Sequence, residues 1–433
     1  MLNATETRPR ISRRQWLTLT GTTLGWGMEG FDASLYTLIV VPATREVLGP
    51  GATAAAVSFH AGLGVAIFLV GWALGGLLFG MLSDYFGRVR VLMAAVLLYT
   101  VFTAASALAQ DFWQLALLRF MAGLGSGVEA PVGAVLMAET WNNRYRARAI
   151  GVMMSGFAGG FFLSSLVYGL IGQYGWRVTL LAAVAPAFLV LFIRRHIHEP
   201  DAMTDLKRRR AERRARGVRT DEDRFVLRRL FTPPLLRRMI PCLLIQTGAL
   251  AAFWSTTTWT PQIITQLSGA AGDTSAATVS HVSTATAMLN LGGVVGYASW
   301  GFLADAVGRR GAYLISFGAT LVGIGLLFPF HHGYTAYLWL LPLVGFGIFG
   351  TLGGPCVQFP ELFPASTRAS AIATSNAVGR LFTAAGPLVA VSIAGRFFGG
   401  DLGVAVTAVA ALAVLGVAGA LFAPETRHRP LED

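Results

Sequence analysis

Residues 80–88 of the chain read GMLSDYFGR, and residues 301–309 read GFLADAVGR. Each stretch stands where a long apolar segment ends, and all matched positions are related by the same offset, the one that separates Gly80 from Gly301. A second charged pattern recurs at nearly this offset, since Glu139 and Arg146 in the first half correspond to Glu361 and Arg368 in the second. The sequence therefore predicts that one half of the chain is a copy of the other.

The chain is also very apolar for its length. Of its 433 residues, 54% are apolar and 13% are charged, and the mean hydropathy is +0.58. A helix needs about 20 apolar residues to cross the roughly 30 Å hydrocarbon core of a bilayer. Twelve segments meet this requirement: 16–41, 55–82, 90–109, 113–138, 148–171, 177–193, 239–266, 277–303, 311–329, 334–357, 369–395 and 402–422. We predict an all-α membrane protein with twelve transmembrane helices in two six-helix bundles, an architecture typical of transporters.

The net charge of +12 indicates membrane topology rather than nucleic-acid binding, because the basic residues occupy alternate connections. They precede the first span and then fill every second connection: Arg8, Arg10, Arg13 and Arg14; Arg88 and Arg90; Arg144, Arg146 and Arg148; residues 194–238; Arg309 and Arg310; Arg368; Arg427 and Arg429. Connections on the cytoplasmic side carry such an excess of positive charge. Both termini are therefore predicted to be cytoplasmic, in a multi-pass protein of the inner (cytoplasmic) membrane.

One long polar connection divides the chain into two sets of six spans. We predict an N-terminal six-helix bundle at 1–193, a basic cytoplasmic loop at 194–238 and a C-terminal six-helix bundle at 239–433. The loop is interpreted as a solvated linker near anionic lipid headgroups. A regulatory or partner-binding loop is the alternative.

The doubled Gly-x-x-x-Asp-x-x-Gly-Arg pattern resembles the signature loop of the major facilitator superfamily. Further segments support the resemblance: Arg119 to Gly127 (RFMAGLGSG), Pro360 to Arg368 (PELFPASTR) and Pro424 to Arg427 (PETR). The resemblance implies the major facilitator fold, with a cavity between the two bundles that opens alternately to either side. No catalytic triad, metal cluster or phosphate-binding loop stands out in the sequence, so neither an enzyme nor a cofactor is predicted.

Three motifs are similar to those of the proton symporters for organic acids, the sialate, carboxylate and aromatic-acid groups. They are Glu29-Gly-Phe-Asp32 in span 1, Gly127-Val-Glu129 in span 4, and Gly379-Arg380 followed by Gly386-Pro387 in span 11. The resemblance implies a small organic acid as substrate and the proton as coupling ion.

Ionisable side chains deep in spans cost several kcal/mol unless they face water or a partner, so four of them are candidates for proton coupling: Asp32, Glu29, Arg119 and Glu129. Asp32 and Arg119 lie at similar depths, and an ion pair between them would be released when the aspartate is protonated. A static pair that holds two helices together is the alternative. Glu29 is a proton or substrate residue or a hydrogen-bonded gatekeeper, while Glu129 is a proton site, a salt-bridge partner or a local hydrogen-bonding group.

Arg380 lies near the middle of span 11, where its planar fork of donors suits a carboxylate. We assign it to substrate binding, the alternative being an intramolecular partner for an acid such as Glu129. Asn376 shares its helix face at i−4. Other polar and aromatic residues could shape the pocket or simply pack helices: Trp254, Asn290 and Tyr36 as the preferred candidates, with Ser155, Gln246 and Thr258.

Charged residues at the ends of spans form a predicted cytoplasmic gate: Asp84, Arg88, Asp305, Arg309, Glu139, Arg146, Glu361 and Arg368. Acid and base sets at this position could cross-link spans when the inner side is closed, although ordinary helix capping would also place them there.

Together these features predict proton-coupled uptake of a small organic anion by alternating access. The alternatives are a proton-coupled efflux antiporter, a facilitative uniporter and, from another class, a transporter-like nutrient sensor. The expected partners are the organic acid, protons and membrane lipid, without nucleic acid, and we expect a monomer.

Overall fold

A computed structural model describes residues 11–86, 88–127, 129, 133, 137, 140–141, 145–184, 233–330, 333–363 and 365–427. Helices and turns make up this part of the chain, and no strand occurs among these residues. Residues 194–232 of the predicted basic loop lie outside the described part.

The first half contributes six described helices: α1 (Arg13–Leu48), α2 (Ala54–Phe86), α3 (Arg88–Ser106), α4 (Phe112–Ser126), α5 (Arg146–Ile171) and α6 (Trp176–Leu181). The second half contributes seven: α7 (Pro233–Ala271), α8 (Ser275–Leu327), α9 (Tyr334–Leu362), α10 (Ala365–Ala384), α11 (Gly386–Phe397), α12 (Leu402–Ala410) and α13 (Ala413–Phe422). Within the described residues, seven segments are long and apolar enough to cross a membrane, and 90–106 is a shorter apolar helix. The helices follow the predicted spans, with the departures described next.

Predicted spans 8 and 9 are the two helical segments of α8, which are joined by a kink at Gly308. Gly308 has φ 83° and ψ 166°, a conformation that favours glycine because it lacks a Cβ. The second signature stretch therefore needs its glycine at this position to turn the chain. We call the end of the molecule that carries residues 301–309 the motif end.

Predicted span 11 is divided into α10 and α11 at Ala385. Pro387 stands in the first turn of α11, where the missing N–H of proline leaves no helical hydrogen bond unmade. In the same way, predicted span 12 is divided into α12 and α13 by a short turn at 411–412.

Glycines let helices approach closely, and they do so at repeat-related positions in the two halves. A Cβ on Gly71 of α2 would overlap the carbonyl oxygen of Phe120 on α4. In the second half, a Cβ on Gly292 of α8 would overlap the carbonyl oxygen of Pro342 on α9. A second set of contacts shows the same relation: Gly75 with Leu124, and Gly296 with Phe346. The duplication read from the sequence therefore extends to the helix contacts, as expected where small residues bring membrane helices together.

We expect Gly160→Ala to lower the melting temperature of the purified protein by several degrees, and Gly159→Ala to change it little. A Cβ at position 160 would overlap the backbone oxygen of Gly27 on α1, so α1 and α5 would have to separate. The adjacent Gly159 has nothing within 4 Å of the corresponding atom. Thermal unfolding in detergent compares the two variants, and equal melting temperatures would contradict this account of the α1–α5 contact.

Candidate functional site

A cavity of about 60 Å³ lies between the two halves of the chain, with room for several water molecules. Its walls come from α1, α2 and α5 of the first half and from α7, α8, α9 and α10 of the second. Much of the lining is aromatic: Trp26, Trp72, Phe157, Phe253, Trp254 and Tyr297. Such a site is apolar with a few polar groups, as small-molecule sites usually are.

Arg380 is the one cation among the residues that line this cavity. Its guanidinium carbon lies 4.3 Å from the centre of the Trp72 ring, a cation–π contact between the two halves. Its Nε is buried and has no hydrogen-bond partner among the described residues. Arg380 thus presents charge and donor capacity to the cavity.

Asn376 lies one helical turn before Arg380 and also lines the cavity. Its side-chain oxygen accepts a hydrogen bond of 2.9 Å from Nε2 of Gln246 on α7. Gln246 also lines the cavity, so an amide pair stands beside the guanidinium.

The three other predicted pocket residues occupy different places. Trp254 lines the cavity, and its ring centre is 5.6 Å from that of Trp72. Tyr36 lies outside the lining and stacks on Arg119. Asn290 is also outside the lining. Its Nδ2 donates a hydrogen bond of 3.1 Å to Oγ of Ser165, across the interface between the two halves.

Asp32 and Arg119 form a fully buried ion pair, with 3.3 Å between Oδ2 of the aspartate and Nη2 of the arginine. Arg119 also donates from Nη1 to Oγ1 of Thr103 at 2.8 Å, and its guanidinium lies over the rings of Tyr36 and Phe68 at 4.3 and 4.9 Å. The arginine is therefore held by three groups besides its carboxylate. Removing one partner of such a pair leaves an uncompensated charge in the interior, which is costly.

Glu29 lies one turn before Asp32 on α1 and has 1% of its surface exposed. Neither of its carboxylate oxygens has a hydrogen-bond partner among the described residues, and the Trp72 indole nearby lies outside hydrogen-bond geometry. Its charged neighbours are Glu129, Arg380 and Asp32. Glu29 consequently lies within electrostatic range of both Asp32 and the cavity arginine, without a hydrogen bond to either among the described residues.

Glu129 is buried against α1, close to Gly25. Its Oε2 lies 3.1 Å from the position that a Cβ on Gly25 would take. Both carboxylate oxygens lack a hydrogen-bond partner among the described residues, and the phenol of Tyr99 is nearby. Glu129 is thus a second acid beside Glu29, and within the described part of the chain it forms no ion pair with Arg380.

At the motif end, Arg309 binds Glu361 through two hydrogen bonds, from Nη2 at 2.8 Å and from Nε at 3.1 Å. It also lies 3.6 Å from Asp305, and Thr426 donates to Glu361 at 2.5 Å.

The carboxylate of Glu425 accepts four backbone N–H bonds, from Arg309, Arg310, Thr426 and Arg427. The segment after α13 therefore fastens the turn at Gly308.

An ion pair joins the two halves at this end, between Nε of Arg148 and Oδ2 of Asp305 at 3.2 Å. Both side chains are about a third or more exposed, so the pair contributes little stability and can open readily.

Of the remaining predicted gate residues, Arg146 is the first residue of α5. The other predicted gate residues lie outside the part whose side chains are described: Asp84, Arg88, Glu139 and Arg368.

Glu425→Gln is expected to lower the melting temperature by a few degrees at neutral pH and by less in acid. Burial raises the pKa of Glu425, but its four backbone donors outweigh burial and hold the pKa below its usual value. A carboxyl with a lowered folded pKa stabilises the fold above the unfolded pKa of about 4.3, and this stabilisation is lost as the pH falls through the folded value. Melting curves of both proteins from neutral pH to about pH 3 measure the difference, and a difference independent of pH would contradict the assignment.

Comparison with known proteins gives the class of this molecule. The sequence pattern of the Major Facilitator Superfamily matches residues 22–280. A protein of Cupriavidus pinatubonensis described as "Probable 4-methylmuconolactone transporter" is 31% identical over 418 residues, which cover 94% of this chain and 90% of that protein. The "Cis,cis-muconate transport protein" of Acinetobacter baylyi is 30% identical over 377 residues, which cover 86% of this chain and 87% of that protein.

The fold agrees with these matches. The solved structure of the proton:xylose symporter XylE bound to 6-bromo-6-deoxy-D-glucose superposes with a TM-score of 0.74 at 19% identity, covering 98% of both chains. The protein is therefore a multi-span membrane transporter and not an enzyme, and its fold is the two-bundle architecture of twelve spans. It belongs to the Major Facilitator Superfamily, as its doubled signature predicts.

Apart from Trp254, the aromatic lining of the cavity was not predicted from the sequence, and Trp26 and Trp72 are two examples. A signal for Trp26 was present, since it precedes Glu29 by three positions and shares its helix face. Trp72 follows Gly71 in an apolar span, and nothing in the local sequence distinguishes it from a packing residue.

Proposed function

We propose that the protein takes up a small organic anion, a carboxylate or an aromatic acid, together with protons by alternating access. The observation that carries the proposal is Arg380, a cation in an otherwise neutral and largely apolar cavity between the two bundles, with Glu29 as the acid that interacts with it. A guanidinium in such a cavity suits the carboxylate of a substrate, because it offers a bidentate fork of donors.

The balance of buried charge supports proton coupling. Away from their ends, the predicted spans contain three carboxyl groups and two guanidinium groups: Glu29, Asp32 and Glu129, with Arg119 and Arg380. An unpaired charge raises the free energy of the membrane interior by several kcal/mol. Three carboxylates exceed two guanidinium groups by one negative charge, so we propose that one of the three carboxyls holds a proton when the cavity is empty. An entering carboxylate adds a negative charge, and a second proton restores neutrality.

Asp32 is the proposed site of that second proton. When it is neutralised, Arg119 remains held by Thr103 and by the rings of Tyr36 and Phe68, so the pair can separate without releasing the arginine into an apolar surrounding. Because Glu29 interacts electrostatically with both Asp32 and Arg380, protonation of Asp32 would change the charge around Glu29 and, through it, around Arg380. With substrate and proton both bound, the interior is neutral and the bundles can rock, after which both leave on the other side.

The names of the relatives support an organic-acid substrate, since one is described as a 4-methylmuconolactone transporter and another as a muconate transport protein. We further propose that the motif end faces the cytoplasm, because the basic residues concentrate there. Both termini and the loop 194–238 would then be cytoplasmic, between bundles at 1–193 and 239–433 of a monomer in the inner membrane.

A panel of radiolabelled acids offered to proteoliposomes tests the proposal. We expect at least one monocarboxylate or aromatic acid to accumulate when the outside is made acidic, and not when a protonophore is present. Efflux of the acid as protons enter would show an antiporter, and uptake that is unaffected by the protonophore would show a uniporter. Binding without any movement would favour a nutrient sensor. Each of these results would overturn proton-coupled uptake.

A further inference from the structure

We infer that Trp72 is a positioning residue for the carboxylate site, whose indole ring holds the guanidinium of Arg380 with its N–H edge free for an entering anion. Trp72 acts on the substrate through Arg380. The inference rests on the proposed function, in which Arg380 binds the substrate's carboxylate, and it deepens that function by naming the group that orients the arginine.

Arg380 and Arg119 are held in different ways. Arg119 is fixed by a carboxylate, a hydroxyl and two rings. The guanidinium of Arg380 instead lies over the ring of Trp72, with its carbon 4.3 Å from the ring centre. Its Nε donates to no described residue, and neither oxygen of Glu29, the acid with which it interacts, accepts a hydrogen bond from it. Within the described part of the chain, Trp72 is therefore the side chain that orients this guanidinium.

The geometry of a guanidinium group separates stacking from hydrogen bonding. Its five N–H donors lie in the plane of the group, whereas an aromatic ring attracts the group through one of its faces. A ring against the face leaves the donors at the edge free for both oxygens of a carboxylate. The long arginine side chain also has several rotatable bonds, and a ring that already holds it reduces the entropy lost when an anion binds. Trp72 therefore raises the affinity for a carboxylate by preorganising Arg380.

The ring of Trp72 is itself fixed in place. It is 2% exposed, and the ring centres of Phe68 and Trp254 lie 5.7 and 5.6 Å from its own. Its backbone is held as well, because the neighbouring Gly71 lets α2 approach the carbonyl oxygen of Phe120 on α4. A ring held in this way gives the guanidinium a single surface on which to rest.

The repeat shows that this ring does not belong to the packing shared by the two halves. At the offset that relates the two signature stretches, Trp72 corresponds to Gly293 on α8. A Cβ on Gly293 would overlap the ring of Phe349 on α9, so the second copy has no room for a side chain at this position. The indole is thus particular to the first half, while the arginine that rests on it belongs to the second. Arg380 is consequently oriented only while α2 and α10 are in contact.

Binding of two carboxylates to the purified full-length protein tests the inference: benzoate, which is aromatic, and cyclohexanecarboxylate, which carries the same charge on a saturated ring. Isothermal titration calorimetry gives Kd for the wild type, Trp72→Phe, Trp72→Leu and Trp72→Met. We expect the Leu and Met variants to bind both acids about tenfold more weakly, because the surface under Arg380 is lost. Trp72→Phe keeps a ring and should stay within about threefold of the wild type. Thermal unfolding shows that each variant is folded, and the use of two replacements without a ring separates the effect from the packing of either one.

Trp26→Phe and Trp26→Leu are the matched controls. Trp26 lines the same cavity and stacks on Phe157 at 4.5 Å, but no cation lies over its ring among the described residues. A ring at this position orients no arginine, so the two variants should bind cyclohexanecarboxylate with the same Kd.

Equal Kd values for Trp72→Phe and Trp72→Leu would overturn the inference, because a ring would then make no difference to the arginine. A loss of affinity, or binding itself, that is confined to benzoate would also overturn it, since Trp72 would then serve only as a wall for the aromatic body of the ligand. Both results would leave the proposed function standing. Failure of both acids to bind the wild type would overturn the inference together with the proposed function.

Discussion

Arg380→Ala is expected to abolish accumulation of the organic acid, with a loss of about a hundredfold or more in the initial rate at low substrate concentration. Arg380 is the cation that lines the cavity, and its Nε has no hydrogen-bond partner in the described part of the chain. Truncating one member of a buried, hydrogen-bonded charge pair costs about 2–5 kcal/mol, and here the second member is the substrate's carboxylate. Uptake into proteoliposomes under an imposed pH gradient provides the measurement.

Two further variants separate charge from geometry. Arg380→Lys keeps the charge but loses the planar fork, and we expect it to retain a fraction of the activity at a higher substrate concentration. Arg396→Ala removes an exposed arginine at the end of α11 and should leave uptake unchanged. Wild-type uptake in Arg380→Ala, with the protein shown to be present in the vesicles, would exclude Arg380 from substrate binding.

Asp32→Asn is expected to abolish uphill uptake while exchange of labelled for unlabelled acid continues. The amide cannot take up a proton, so the acid no longer draws on the proton gradient, but the cavity around Arg380 is intact. Exchange needs only the alternation of the loaded protein between its two sides. The two activities are measured in the same vesicles, by accumulation under a pH gradient and by counterflow without one. Concentrative uptake by Asp32→Asn would contradict the coupling assignment.

The static alternative makes a different prediction for the same pair. If Asp32 and Arg119 only hold α1 and α4 together, Asp32→Asn should lower the melting temperature and reduce both activities equally, because a buried guanidinium is left unpaired. Replacing both residues, Asp32→Asn with Arg119→Gln, should then restore stability and uphill uptake together. Under the coupling account the double variant still fails to concentrate the acid, even where its stability is restored. Thr37→Val, a change on the same helix at a hydroxyl that donates to the Ser34 backbone, is the control for both activities.

The fold was largely readable from the sequence, because membrane helices must satisfy their own backbone and so follow directly from apolar length. The departures come from single residues. Gly308 joins predicted spans 8 and 9 by a kink in place of a longer connection, and Pro387 lies in the first turn of a new helix where apolar length alone predicts continuity. Neither effect is visible in hydropathy, which is insensitive to backbone conformation.

The residues of the site were harder to predict from the sequence than the fold. Spacing along a helix gives depth in the membrane, which is why Asp32 and Arg119 could be matched, but it does not give the direction in which a side chain faces its neighbours. Asn290 and Trp254 were equivalent as pocket candidates, yet one lies at the interface between α8 and α5 and the other in the cavity. Likewise, Glu361 could be assigned to a gate, but its contacts with Arg309 and Thr426 depend on how the end of the chain folds back.

The glycine contacts of α2 with α4 recur in α8 with α9, and the offsets of the two sequence patterns also show where the copies differ. At the offset that relates the two signature stretches, Leu250 and Phe253 of the second copy correspond to Glu29 and Asp32, and both line the cavity. At the offset of the second charged pattern, Ala158 of the first copy corresponds to Arg380. The first lobe therefore carries the three buried acids and Arg119, whereas the second carries the cavity arginine, Arg380, so two copies of either lobe would lack part of the proposed site. The two lobes are therefore not interchangeable in the proposed site, although their helix contacts repeat.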